Sequence, residues 1–449
     1  LIIMLLACGI WFTVKLGGVQ LRHFGHMFSL LKGSNTSTKD GISSFQALCT
    51  SLSARVGTGN LAGVAVAISL GGAGAIFWMW MIALLGMATG FAESVLGQLY
   101  KVRDENGEFR GGPAYYIKQG LNKTWLAVAF SLCLFFGYGF VFSAVQANTI
   151  TDALNNAYSF PTEYVGLAII ALAALIVVGG LKSIARFAEF VVPFMGIGYV
   201  LVALAITFIN ISELPAMLLD IVKSAFGLQE AGAGALGAAI KNGIQRGLYS
   251  NEAGSGSVPH AAASAVPNPN HPVSQGYIQM LGVFLDTLVL CTSTAFIILL
   301  AGGSSSDQME GIRLTQDAMS SHLGEGGTDF VAAAISLFAF TSVVANYAYG
   351  ESNLHMFKLD NKIGRAVYTI GYLGMIYWGA QAALPQVWAM ADMALGLMTV
   401  INIIAIVWMT PTIVSISKDY FKKKDSGANM EYKAGDCEIQ GKSEDGIWD

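Results

Sequence analysis

Charged side chains are scarce in this 449-residue chain. Asp, Glu, Lys and Arg make up 12% of it, against about 25% in a soluble domain. A chain this long with so few charges cannot cover itself with a polar surface. Cysteine offers no pattern either. Cys8, Cys49, Cys133, Cys291 and Cys437 are scattered without metal or redox spacing and read as small apolar fillers. Metal-ligand spacing is missing around Glu252: His260 and His271 follow it, but no His-x-x-x-His or Glu-x-x-His pairing occurs there, which argues against a membrane-embedded enzyme. No cleavable signal peptide is read. The chain begins at Leu1 rather than Met, and its first hydrophobic stretch, Leu1–Leu16, is short, so the first span is expected to begin upstream. The net charge of −4 lies mostly in loops and carries little information. No nucleic-acid partner is expected.

What the chain has instead is apolar length. Hydrophobic residues make up 54%, and the mean hydropathy is +0.56. Stretches such as Tyr164–Leu181, Phe187–Ile209 and Val387–Ile406 approach the roughly 20 residues that a helix needs to cross hydrocarbon. The 52 glycines suit close helix packing in a membrane. The expected fold class is an all-α polytopic membrane protein with about eleven transmembrane helices. The spans are read at 1–18, 43–70, 72–100, 124–152, 164–181, 187–210, 229–265, 275–302, 328–350, 362–380 and 386–416. Residues 19–42 hold the amphipathic run Leu21–Leu31 and read as an interfacial loop. Residues 417–449 read as a cytoplasmic polar tail, soluble and largely disordered from 418 on.

Loop charges give the orientation. With the first loop inside, inside segments collect Arg22, Lys32, Lys39, Lys101, Arg103, Arg110, Lys118, Lys182, Arg186, Lys358, Lys362, Arg365, Lys418 and Lys422–Lys424. Outside loops collect only Lys223 and Arg313. The N-terminus is then outside and the C-terminus in the cytoplasm. Setting aside the extra N-terminal helix (1–18), two sets of five spans remain, 43–210 and 229–416, starting on opposite faces. That is the arrangement of inverted-repeat transporters.

The first helix of each set carries a matched interruption. Arg55-Val56-Gly57-Thr58-Gly59-Asn60 and Glu252-Ala253-Gly254-Ser255-Gly256-Ser257 both read charged, small apolar, Gly, hydroxyl, Gly, polar. Glycine is poor in a helix interior, and two within three residues invite unwinding. Unwound backbone at mid-membrane is tolerated only where it is buried in protein or lines a cavity. There it offers N–H groups to a carboxylate and C=O groups to a cation. Thr58, Asn60, Ser255 and Ser257 add oxygens of the kind a hard cation takes. Each copy alone could be a helix-packing patch; two copies in inverted halves favour paired breaks. Arg55, Glu93, Lys241, Arg246, Glu252 and Asp286 fall within spans and are functional candidates. Arg55 and Glu252 open the breaks and are expected to gate the site or hold the breaks open. Lys241 and Arg246 could instead approach an interface or pair with Glu93 or Asp286. Gln146, the lone amide in Phe140–Ala147, and Phe142 beside it are candidates for the substrate pocket, with helix-helix glue as the alternative.

Three stretches resemble the alanine or glycine:cation symporter family, also called the sodium:alanine symporter family. They are Gly71-Gly72-Ala73-Gly74-Ala75-Ile76-Phe77-Trp78-Met79-Trp80, Gly247-Leu248-Tyr249-Ser250-Asn251-Glu252-Ala253-Gly254-Ser255-Gly256-Ser257 and Gly111-Gly112-Pro113-Ala114-Tyr115-Tyr116. The resemblance covers the membrane portion to about residue 420 and implies a LeuT-type fold, with Na+-driven import of small neutral amino acids, chiefly alanine and glycine. Val56-Gly57-Thr58-Gly59-Asn60 is similar to the first unwound helix of that fold. The comparison implies that the backbone at Thr58 and Gly59 receives the substrate carboxylate. It implies that the carbonyls of Ser53 and Val56, with the hydroxyls of Thr341 and Ser342, hold Na+. Asn60, Phe142, Gln146, Asn251, Gly254 and Ser255 complete the expected substrate site. The expected partners are Na+, a small neutral amino acid and the lipid bilayer of the cell membrane. Proton coupling through Glu252 or Asp286 is the nearest alternative; an ion channel would need symmetric subunits rather than internal symmetry.

Overall fold

The computed structural model describes residues 1–34, 41–104, 107–228, 233–302 and 311–448. Lys39 and the start of the span expected at 229 lie outside them. Apolar length becomes helix almost throughout, because a helix satisfies its own backbone polar groups where water is absent. The helices that build the site are α1 (Ile2–Lys15), α2 (Ser44–Arg55), α3 (Val64–Gly71), α4 (Gly74–Leu99), α5 (Thr124–Tyr158), α6 (Thr162–Val177), α7 (Gly180–Ile209), α8 (Ala233–Asn251), α9 (Val258–Ser264), α10 (Pro272–Leu300), α11 (Gly326–Ser352), α12 (Lys362–Gln381), α13 (Leu384–Trp408) and α14 (Thr410–Ser426). Among the described residues, α4, α5, α7, α10, α11 and α13 are each long and apolar enough to cross a membrane. The molecule is a multi-pass helical membrane protein. α1, α6 and the segment Gly59–Gly71 are apolar but shorter.

Both expected interruptions are present. α2 stops at Arg55, and the chain re-enters helix as a π-turn, Gly59–Gly63, before α3. α8 stops at Asn251, and helix resumes at Val258. α2 packs on α7 and α11, whereas α8 and α9 pack on α4. Close approach has a visible cause: a Cβ on Gly243 of α8 would overlap Ala75 and Trp78 of α4. Two short parallel strands, β1 (Ile42–Ser43) and β4 (Ala265–Val266), tie the start of α2 to the end of α9. A short antiparallel pair, β2 (Val102–Arg103) and β3 (Phe109–Arg110), follows α4.

The tail corrects an expectation. It is not loose: α14 runs to Ser426 with Ile413, Ile416 and Tyr420 buried. Beyond it the chain folds back. Tyr432 N–H donates to Asn270 O (2.9 Å), and Trp448 Nε1 donates to Leu99 O (3.1 Å). Both aromatic rings are 2% exposed. Trp448 and Phe109 sandwich the buried Lys101 ammonium, 4.9 and 4.0 Å from their ring centres. Burial, helped by Arg103, pushes that ammonium down to about 7.

Candidate functional site

The first break begins where α2 loses its hydrogen-bond ladder. Val56 is extended (φ −79°, ψ 92°), which turns the carbonyls of Ser53 and Val56 away from any helical partner. α11 meets them there. Ser342 Oγ lies 2.9 Å from Ser53 O and 3.3 Å from Val56 O. Ser53 Oγ donates to Thr341 O (2.9 Å), and Thr341 Oγ1 donates to Phe338 O one turn below (2.8 Å). The four residues expected around Na+ therefore come together, all buried. Gly57 lets this happen: a Cβ there would overlap both Ser342 Oγ and Gln146 Oε1.

The N–H side of the same break faces α5. Gln146 Oε1 accepts from Thr58 N (2.9 Å) and from Thr58 Oγ1 (2.8 Å). A side-chain oxygen thus sits where the resemblance places a substrate carboxylate. Asn60 is turned elsewhere. Its Oδ1 accepts from Gly57 N (2.9 Å), and its Nδ2 donates to Asp286 Oδ1 (2.7 Å). Asp286 of α10 also accepts from Ser250 Oγ and Thr287 Oγ1, each at 2.8 Å. One buried carboxylate therefore ties both broken helices together. Gly59 packs against Tyr249 and Ser250, which brings the breaks side by side.

The second break is a chain of local turns. Glu252 adopts the left-handed conformation (φ 59°), which a non-glycine residue reaches only with strain. Gly254 (φ 92°) and Gly256 (φ 83°) share that region, where glycine is at ease. Ser255 Oγ donates to Glu252 O (2.7 Å), and Ser257 Oγ donates to Glu252 Oε2 (2.7 Å). The freed N–H groups of Gly254 and Gly256 point at Glu93 of α4, at 3.1 Å (Oε1) and 3.2 Å (Oε2). Asn402 of α13 braces the assembly: its Nδ2 donates to Glu93 Oε2 (2.8 Å) and to Gly254 O (3.0 Å). Tyr116 in turn donates to Asn402 Oδ1.

Between the breaks lies a small cavity with about 10 Å³ of free space, room for about one water. Ala54, Arg55, Tyr138, Phe142, Gln146, Tyr249, Glu252, Asn346 and Leu395 line it. Of the expected substrate residues, Phe142 and Gln146 reach this cavity. Thr58 touches it through Gln146. Gly59, Asn60, Asn251, Gly254 and Ser255 are not among the lining residues: Asn251 Oδ1 accepts from Ala253 N, and the others are engaged as described. Tyr138, Tyr249, Asn346 and Leu395 were not anticipated. Only Asn346, a lone amide in an apolar helix, carried the kind of signal that singled out Gln146. Tyr249 Oη, Asn346 Oδ1 and Arg55 Nε and Nη2 are buried without a hydrogen-bond partner among the described residues. These are groups that a polar ligand could satisfy. Among the described residues Arg55 forms no ion pair; its Nη1 donates to Gln279 O (3.3 Å).

Further charged side chains pair outside the lining of the cavity. Arg246 of α8 pairs neither with Glu93 nor with Asp286. Its Nη2 reaches both oxygens of Asp392 on α13 at 2.6 Å, and its guanidinium lies 4.4 Å from the Trp388 ring centre. Lys241, a turn and more away, is exposed. On the side of the basic loops, Arg110 of β3 meets Asp104 (3.0 Å) and Glu108 (3.1 Å), and Arg365 meets Glu351 at the end of α11 (3.4 Å).

Residues 1–434 match the sequence model of the sodium:alanine symporter family. The chain belongs to that family. Within it, GlnT of Bacillus subtilis, named for sodium/glutamine symport, is 47% identical over 95% of this chain and 89% of its own length. The amino-acid carrier protein AlsT of the same organism is 44% identical over 96% and 91%. The sodium/alanine symporter AgcS of Methanococcus maripaludis is 37% identical over 94% of each. Family and relatives are transporters rather than enzymes.

Proposed function

We propose that this protein is a secondary active symporter that imports small neutral amino acids, alanine or glycine, together with Na+ across the plasma membrane. The observation that carries the reading is the first break. There the Ser53 and Val56 carbonyls converge with the Ser342 hydroxyl, and Thr341 joins through its own backbone oxygen, beside a small cavity between two broken helices. Carbonyl and hydroxyl oxygens of this kind suit a hard monovalent cation, and the Thr341 hydroxyl beside them joins the set on turning from Phe338 O. The amino acid binds at the adjoining cavity, which must widen from its present one-water space to admit it. Its carboxylate replaces Gln146 Oε1 at the Thr58 N–H, and its ammonium goes to Asn346 Oδ1 and Glu252. Tyr138, Phe142, Tyr249 and Leu395 are bulky walls, which favour a short side chain. The architecture is a LeuT-type arrangement: about eleven spans, one leading helix and two inverted sets of five. Its N-terminus is outside and its C-terminus in the cytoplasm. The bundle holding the broken helices rocks around the midplane site, and Na+ drives uptake because it binds better when substrate is present.

The Arg246–Asp392 pair closes the outer side. Asp392→Asn leaves a buried guanidinium without its counter-charge. Uptake is expected to fall on the order of tenfold, and Cys placed at Tyr249 should become reactive toward an impermeant thiol reagent. Unchanged uptake and unchanged labelling would remove the pair from the closure.

Proton coupling is the second reading, and a charge imbalance favours it. Glu93, Glu252 and Asp286 are buried near one buried arginine, Arg55. A relative from Bacillus subtilis, 41% identical, is named as a sodium/proton-dependent alanine carrier. Uptake of labelled alanine into proteoliposomes, with Na+ and pH gradients imposed separately, decides between them. Uptake driven by the Na+ gradient alone is expected. Uptake driven by the pH gradient alone would replace Na+ by H+, and no uptake of any small neutral amino acid would overturn the substrate class.

A further inference from the structure

A groove of about 340 Å³ opens on the outer flank of the molecule, away from the central cavity. Its walls include Leu48 and Leu52 of α2, Val56 just after it, Pro193 and Gly196 of α7, and Leu290 of α10, with no charged residue among them. The surrounding face of α7 is apolar and turned outward: Phe194 is 73% exposed, Ile197 61% and Leu201 60%. α7 is one of the membrane-crossing helices, so hydrocarbon rather than water meets this face. One end of the groove carries charge. Arg186 lies on the same face of α7 as Pro193, about two turns before it, and is exposed. Lys32 follows Leu31, which lines that end. The nearby carboxylate of Glu189 is already engaged by Gln46 Nε2 (2.9 Å). Two cations thus stand at the mouth of an apolar slot, on the side of the membrane where the basic loops collect.

We propose that this groove holds one acyl chain of an anionic phospholipid, with its headgroup at Arg186 and Lys32, and that the bound chain restrains α2. The chemistry matches in both parts. An apolar slot bordered by lipid takes a hydrocarbon chain, and basic side chains at the membrane surface select a negative headgroup. The consequence for α2 follows from its two faces. Leu52 and Val56 form the wall of the groove, while the carbonyls of Ser53 and Val56 face Ser342. A chain in the groove therefore packs behind the ion-facing carbonyls and favours the position of α2 seen here. This second half rests on the transport reading; the lipid site itself does not.

Gly196 provides the test. A Cβ there meets nothing within 4 Å, so a large side chain fills the groove without a backbone clash. Protein taken from phosphatidylethanolamine vesicles containing phosphatidylglycerol is examined by native mass spectrometry. Wild type is expected to retain a phosphatidylglycerol molecule. Gly196→Phe should lose it, and Arg186→Gln should keep a lipid but lower the preference for phosphatidylglycerol roughly fivefold. Alanine uptake by wild type should slow when phosphatidylglycerol is added to the vesicles, and uptake by Arg186→Gln should not. Undiminished lipid on Gly196→Phe overturns the site. So does a lipid-free dimer that Gly196→Phe dissociates, since a second copy would then cover the groove. Lipid counts that follow the expected pattern, with wild-type uptake indifferent to phosphatidylglycerol, overturn the restraint on α2.

Discussion

Ser342→Ala is expected to raise the Na+ concentration for half-maximal uptake by a factor on the order of 10–100, the equivalent of losing one polar contact to a charged group. The effect depends on where its hydroxyl can turn. Ser342 Oγ is within 2.9 Å of Ser53 O and 3.3 Å of Val56 O, and also within 3.2 Å of Phe338 O on its own helix. With no cation present it can donate to the α2 carbonyls. With a cation between them, the hydroxyl can donate to Phe338 O and aim its lone pairs at the ion. Thr341 already donates to that same carbonyl at 2.8 Å. Alanine removes the oxygen and leaves two carbonyls facing a methyl group. The maximal rate at saturating Na+ should be largely kept, because the helices still touch through Ser53 Oγ and Thr341 O. A purely structural role would show the reverse: a lower maximal rate with unchanged Na+ dependence, measured in the same proteoliposomes.

The breaks were legible because membrane helices make a sharp background. Two glycines beside polar residues stand out inside an apolar run, and α2 and α8 end within a residue or so of where that pattern begins. The Thr341 and Ser342 hydroxyls proposed for Na+ are reached only through the family resemblance; a Thr-Ser pair by itself also reads as helix glue. The cavity walls were harder to foresee. Which side of an unwound segment faces the cavity depends on partners far away in sequence. Asn60 and Gly254 looked like ligand residues, yet Asp286 and Glu93 claim them. Glu93 and Asp286 stand out in the sequence as charges within spans, but nothing in their neighbours tells what they hold. Arg246 stands out too, and its partner, Asp392, sits on a helix far along the chain. The tail hid its two anchors, Tyr432 and Trp448, among polar residues, where no periodicity reveals burial. Helices α6 and α12 show why counting spans from hydropathy differs from counting long apolar helices: α6 is apolar but short, and α12, at 20 residues, is long enough but not apolar enough to stand alone.

Glu93→Gln is expected to reduce the maximal rate of alanine uptake by on the order of a hundredfold, although the change removes no volume. The carboxylate accepts from three donors: Gly254 N, Gly256 N and Asn402 Nδ2. Its two oxygens suit that set, since an ionised carboxylate only accepts. An amide offers one oxygen and one NH2 group. Whichever way it is turned, at least one donor of the break then faces another donor. Each charge-assisted bond lost costs about 1.5–3 kcal/mol, and a buried donor left unpaired adds about 1–3 kcal/mol. The break would relax, and with it the strained Glu252 that lines the cavity. Asn402→Ala should give a milder loss, because Glu93 keeps both glycine N–H groups. The readout separates position from folding. Thermal unfolding of the purified protein should shift modestly, while the substrate concentration for half-maximal uptake rises along with the fall in rate. If Glu93→Gln transports at the wild-type rate, the carboxylate is not what holds the second break in its working shape.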